Sequence, residues 1–232
     1  NNGNGCISAL PETTTQCGSY PFNGVKPIGQ GVTSQMLVVC YTSYVEAIKL
    51  RSKNKEGNKS DEDILGEHFK DLFQRVQQHF NNRSVMVTFK VEKVYMMENM
   101  SVPYQRSIMS VNGTATLHVL QKYGEDLGAC NNTIVSLFTH KNIYQDSNRG
   151  DRMPLSLTEM ATFATLCSAS TSAILVKWFS GLWYLATIQA VAATFGSHHY
   201  RYFLSSDLET MKATFSHCGI NNDGSAAVRA TK

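Results

Sequence analysis

The 232-residue sequence predicts an α/β fold: a twisted, mostly parallel sheet with helices packed against it, followed by a smaller C-terminal part. Three observations lead there. The short continuous apolar run "MLVVCY" (36–41) has the composition of a buried parallel strand, and "TIVSLFTH" (133–140) reads as a further strand. Between them, apolar residues recur at helical spacing from Ile64 to Phe80. Along the chain the elements then alternate as strand, helix, strand, helix, strand and long helix, an order that builds parallel sheets through crossovers.

Residues 1–32 are rich in Gly, Pro, Thr and Asn and read as an irregular extension stapled by Cys6 or Cys17. The first strand is 36–41. The polar run "KLRSKNKEGNK" (49–59) reads as a solvated loop, broken by Gly, Asn and Ser. Ser60 or Asp61 can cap the helix that follows, with Ile64, Leu65, Phe69, Leu72, Phe73, Val76 and Phe80 on its inner face. "SVMVTFKVEKVYM" alternates, with Val85, Val87, Phe89 and Val91 on one side and Thr88, Lys90 and Glu92 on the other, as a half-buried strand does. A second helix is expected over 105–123, with Ile108, Val111, Ala115, Val119 and Leu120 inward and Gly124 closing it. The third strand, 133–140, leads into the loop "KNIYQDSNRGDRMPLS". "MATFATLCS" and "SAILVKW" read as strand or extended segments, and a helix covers 181–195. Residues 33–220 form one domain on this reading, and 221–232 a flexible tail.

With 42% hydrophobic and 17% charged residues the chain is globular rather than disordered. The net charge of +3 is mild, and the basic residues form no aromatic-interleaved stripe, so no nucleic-acid partner is expected. Cys6, Cys17, Cys40, Cys130, Cys167 and Cys218 are an even set without a C-x-x-C pair, which favours disulfides over a zinc ribbon. Five glycosylation sequons, at Asn58, Asn82, Asn99, Asn112 and Asn131, point with them to a secreted, extracellular glycoprotein. The chain starts "NNGNGC", without Met or an apolar leader, as expected after signal-peptide removal. The longest apolar stretch, 173–195, is interrupted by Lys177, Ser180, Gly181 and Gln189, so it reads as core and not as a membrane span.

One segment bears on chemistry: "TIQAVAATFGSHH" (187–199), a helix ending at Gly196 with His199 three residues on. Zinc proteases carry H-E-x-x-H-x-x-G-x-x-H. Two His four apart bind the metal from one helical face, Glu is the general base, and Gly turns the chain so that a third His completes the site. With Gly196 on the motif's glycine, the third ligand falls on His199, the helical ligands on Gln189 and Ala193, and the base on Ala190. Taken alone, helix–Gly–His is a common arrangement and a plain core helix is the simpler reading.

Colinear segments change that reading. "MLVVCYTSYVEAI", "FKDLFQRVQQHFNN", "VMVTFKVEKVYMMEN", "SVPYQ", "ATLHVLQKYG", "IVSLFTHKNIY" and "MATFATLCSASTSAILVK" follow one another over roughly residues 33–220. In that order they resemble the reprolysin (adamalysin-type) metalloproteases, members of the metzincins, and more narrowly the shortened members of tick saliva. The resemblance implies a metzincin-like fold with a degenerate zinc site and hence no cofactor. It places Leu204, in "YRYFLSS", at the Met-turn and pairs Cys167 with Cys218; partners for the other four cysteines stay open. The interval from His199 to Leu204 is much shorter than in the family. Phe195, Tyr200, Tyr202 and Phe203 are therefore expected to fill the former active-site floor.

If catalysis is lost, binding remains, and loops carried on a rigid sheet are where binding sites concentrate. Arg149-Gly150-Asp151 is the tripeptide that integrin ligands present: the carboxylate reaches the integrin's metal ion and the guanidinium an acidic pocket. An ordinary turn is the competing reading. The expected function is thus that of a secreted pseudoenzyme binding an extracellular host protein, an integrin being the specific candidate. The rivals are a metalloprotease with an unconventional zinc site and a small-molecule carrier using the old cleft.

Overall fold

Strand β1 (Thr33–Cys40) lies inside the main sheet, and Met36 to Cys40 are all buried. The computed structural model describes residues 26–52, 59–145, 155–178 and 183–219. On one side β1 pairs in parallel with β2 (Thr88–Met96), and on the other with β5 (Thr133–Thr139). Beyond β5 come the parallel β9 (Ser172–Lys177) and the antiparallel edge strand β8 (Glu159–Ala161), giving the order β2-β1-β5-β9-β8. The architecture is therefore α/β with a mostly parallel sheet.

Alternation along each strand divides the core into two layers. Met36, Val38, Ile134, Phe138, Ile174 and Val176 face one layer; Leu37, Val39, Val135, Leu137, Ala173 and Leu175 face the other. Every residue of β5 is buried, and its polar side chains are satisfied in place. Ser136 Oγ donates to Leu37 O (3.2 Å), and Thr133 Oγ1 to Gln35 Oε1 (3.2 Å). In β2 a bulge opposite Met36 and Leu37 skips Glu92, so the inward side changes parity: Phe89 and Val91 join the first layer, then Val94.

The first layer is covered by α2 (Asp61–Asn81), whose seven buried residues are those expected from the helical spacing. Ser60 is its N-cap, accepting from Asp63 N, and three acids in the first turn complement the helix dipole. A helix not anticipated from sequence, α1 (Thr42–Ser52), directly follows β1, burying Tyr44, Val45 and Ile48. The solvated loop expected at 49–59 is accordingly helical as far as Ser52; residues 53–58 lie outside the described set.

The helix expected over 105–123 is a correction. Pro103–Tyr104 (β3) and Ser107–Asn112 (β4) form an antiparallel hairpin through Gln105 and Arg106, both at positive φ. Ile108 is 78% exposed, not inward. The helix, α3 (Gly113–Asp126), begins only after Asn112, whose side chain accepts from Ala115 N at 3.0 Å. Gly124 does not close this helix but lies inside it, where a Cβ would stand 2.6 Å from Thr171 and 2.8 Å from Val135. It lets α3 press against the sheet. β4 continues into a second sheet, β3-β4-β6-β7, with β6 (Asn142–Gln145) and β7 (Leu155–Leu157).

Cys167 and Cys218 are joined, while Cys40 and Cys130 are free thiols; Cys6 and Cys17 lie outside the described residues. Cys40 sits fully buried in β1, and burial first, with the Glu98 charge second, pushes its thiol up to about 12. Only the thiolate alkylates. At pH 8 a native protein treated with iodoacetamide should therefore be modified at the exposed Cys130 and spared at Cys40 until it unfolds. Peptide mapping that finds both peptides labelled at one rate would refute that placement of Cys40.

Candidate functional site

The degenerate zinc segment begins in α4 (Trp183–Thr194), a mostly apolar helix packed on β8, β9 and α2. Phe195 is the cap and Gly196, at φ +96°, turns the chain. Gly196 N donates to Ala193 O and Ser197 N to Ala192 O (both 2.9 Å), the paired bonds of a Schellman ending. The loop after β8 binds the same end through Ala164 N to Ala193 O and Leu166 N to Thr194 O. The remaining carbonyls are thereby used, and the turn is fixed from two sides.

Past the turn, His198 stacks on Phe163 at 4.3 Å. His199 is half-buried; its Nδ1 lies 2.8 Å from Asp207 Oδ2, and its ring stacks on Tyr202. Asp207 belongs to α5 (Ser205–Ser216), capped at Leu204, a residue whose side chain has no capping oxygen. The carboxylate of Asp207 substitutes, accepting from Leu204 N at 2.8 Å. Burial by itself would raise the Asp207 carboxyl, but the Leu204 amide, the Ser197 hydroxyl and His199 together hold it below the usual carboxylate range. Asp207 thus stays ionised and orients the His199 ring through Nδ1. Metal-binding imidazoles are commonly oriented in this way by a carboxylate.

The rest of the constellation differs in kind. Gln189 and Ala193, four apart, are half-buried and offer an amide and a methyl group. Ala190 is 1% exposed and packs in the core. Among the described residues, no three His, Cys, Asp or Glu side chains are grouped to hold a metal. Leu204, which the resemblance places at a Met-turn, is the exposed N-cap of α5.

Two of the four aromatic residues expected to fill the old floor are buried. Phe195 contacts Phe80 at 5.2 Å and Phe215 at 5.1 Å, and Phe203 stacks on Phe80 at 5.6 Å. Tyr200 is half-buried, its carbonyl accepting from His79 Nε2 at 2.6 Å. Tyr202 is a correction: it is 57% exposed and covers His199 from outside.

Arg149, Gly150 and Asp151 lie outside the described residues, as does Asn58. The strands that flank 146–154 are described: β6 and β7 pair antiparallel, with Gln145 opposite Leu155. Asn82, Asn99 and Asn131 are exposed, whereas Asn112 is half-buried and engaged as the α3 cap.

A polar cluster that the sequence reading missed occupies the carboxyl ends of the parallel strands. The strand order reverses at β1, so the β1–β5 gap is a topological switch point, a usual place for ligands in such sheets. Ser43 Oγ and His140 Nδ1 are 3.1 Å apart there, Tyr41 donates to Ser101 (2.6 Å), and Lys141 sits over the Tyr41 ring. Glu98 accepts from Thr42 N at 2.8 Å and so fills the helix N-terminus an anion would take. No sequence signal joins these residues, which come from separate segments.

No family model matches the chain, and no curated protein does. Among solved structures, it is similar to metalloproteinase-II from Bacteroides fragilis, with TM-score 0.44 and 11% identity over 84% of this chain and 58% of that one. It is also similar to archaemetzincin from Archaeoglobus fulgidus, with TM-score 0.35 and 11% identity over 76% of this chain and 91% of that one. The chain thus spans less than two thirds of the length of the Bacteroides protein. Both are distant likenesses to metalloprotease folds, and neither assigns an activity to this chain.

Proposed function

We propose that this chain is a secreted, metzincin-like pseudoenzyme that acts by binding an extracellular protein of a host or partner cell, with an integrin as the specific candidate through Arg149-Gly150-Asp151. The observation that carries the first half is Ala190. At the position of the general base stands a methyl group packed in the apolar core, where a carboxylate would be both unpaired and shut off from substrate. The positions of the two helical ligands, Gln189 and Ala193, supply no imidazole, and one histidine does not retain zinc. A peptide-cleavage assay beside elemental analysis tests this half: one zinc per chain with cleavage would favour the unconventional-metalloprotease rival.

The second half is supported by where the tripeptide falls. The tripeptide lies in sequence between β6 and β7, which pair antiparallel with Gln145 opposite Leu155, and segments joining strands of a rigid sheet are where recognition residues concentrate. An aspartate that completes a partner's metal shell has fixed geometry. Asp151→Ala should therefore abolish binding, and Asp151→Glu should lose it nearly as fully, because one added methylene displaces the carboxylate by about 1.5 Å. The measurement is surface binding to purified platelet and vascular integrins with manganese present, competed by short peptides carrying the tripeptide. Equal signals from wild type and both variants, or none from any, would return the segment to an ordinary turn.

A further inference from the structure

A cavity of about 420 Å³ opens between residues 26–32 and the C-terminal half of α5. Its size lies within the range of small-molecule sites. Ile28, Val32 and Phe215 form its apolar surface, and Lys26 and Lys212 stand exposed on its lining. The walls are fixed independently of any occupant. Ile28 forms a parallel bridge with Val85, donating to Ser84 O (2.9 Å) and accepting from Met86 N (2.7 Å). Val32 is 2% exposed, and Phe215 is held edge-on by Phe195.

Gly29 shapes this wall. At φ +73° it presses against Phe215, where a Cβ would lie 3.1 Å from Cε2 and 3.0 Å from Val87 Cγ2. A side chain there would force the segment away from Phe215. The charge pattern indicates the ligand: both Lys26 and Lys212 set an exposed ammonium group beside the apolar lining, and among the described residues neither has a carboxylate partner.

We infer that this cavity binds a small amphipathic anion, a medium-chain monocarboxylate whose alkyl chain lies against Ile28, Val32 and Phe215 and whose carboxylate meets Lys26 and Lys212. None of the lining residues belongs to the zinc-helix turn, and the test below stands apart from those of the proposed function. Alkyl burial makes affinity climb with chain length by about fourfold per methylene until the cavity is full. The lysines make carboxylate preferred over the matching alcohol.

The experiment is calorimetric titration of the full chain with hexanoate, octanoate and decanoate below their micellar range, and with octanol as the uncharged control. One-to-one binding that strengthens along the series is expected. Lys212→Gln and Lys26→Gln, both at exposed positions, should each weaken octanoate about threefold and leave octanol unchanged. Ser216→Phe, which adds bulk at the lining from an exposed position, should remove binding of acid and alcohol alike while leaving the unfolding midpoint in place. No saturable binding, binding indifferent to chain length, or equal affinities in wild type and all three variants would overturn the inference. An occupant supplied by the chain itself would appear as the first of these.

Discussion

Gly196→Ala is expected to lower folding stability by roughly 3–5 kcal/mol, combining a strained left-handed backbone with overpacking. The backbone there is at φ +96°, where an L side chain is strained before any contact is considered. The added methyl would also stand 2.6 Å from Thr210 Cγ2 and 3.3 Å from Ala164 Cβ. Thr210 is held by its bond to Ser206 O (3.0 Å), and the Ala164 segment by its bond to Ala193 O, so neither neighbour yields freely. A loss of that size is a large share of the about 5–15 kcal/mol by which domains are stable. Urea unfolding measures it, and Thr210→Ala separates the two causes. In that background the shortest contact is relieved, while the backbone strain and the milder crowding against Ala164 remain, so about 1–2 kcal/mol should be recovered. A Gly196→Ala protein within 0.5 kcal/mol of wild type would mean that the turn is not built as described. The same glycine aims the chain so that His199 reaches Asp207, so the variant should also disturb the α5 cap.

The parts of this fold legible in sequence are those where one period dominates. The seven inward residues of α2 repeat without interruption and end at clear caps, and β1 carries a continuous apolar run from Met36. The misread stretch, 105–123, contains two periods. Ile108 to Leu120 fits a helical spacing, but Asn112 side-chain capping begins the helix at Gly113, and the preceding residues pair with β3 and β6 instead. Tertiary pairing overrode a local pattern there. α1 was hidden because its polar half reads as a loop, and among its described residues the buried ones are Tyr44, Val45 and Ile48.

The candidate site divides in the same way. Helix, glycine and histidine are adjacent in sequence and could be read together. Asp207, which orients His199, could not: it is eight residues on, in a segment whose likeness to a Met-turn suggested a different role. In the structure that segment is a helix start lacking a capping side chain at Leu204, and the carboxylate that repairs this defect also captures the imidazole. The cavity beside Phe215 was equally invisible, since its walls are nearly two hundred residues apart along the chain.

The disulfide joining Cys167 to Cys218 is the other feature whose loss should be severe. It closes a segment of 51 residues, for which restriction of the unfolded chain corresponds to about 4 kcal/mol. Its two ends are otherwise weakly fastened. Cys167 lies in the irregular stretch between β8 and β9 at φ +60°, held by its N–H to Asn131 O at 2.8 Å, and Cys218 is the last buried residue described after α5. The bond therefore ties the loop that buttresses Gly196 to the helix that supplies Asp207. Cys167→Ser should leave little folded protein at physiological temperature, with a loss of about 3–4 kcal/mol by denaturant titration at lower temperature. The double variant Cys167→Ala with Cys218→Ala avoids stranding a buried thiol and should lose nearly as much, because most of the effect resides in the unfolded chain. Reductant should bring wild type down to the same midpoint and leave the double variant where it was. If reduced wild type and the double variant both unfold at the midpoint of the oxidised protein, the bond contributes nothing and the C-terminal helix is held by its packing alone.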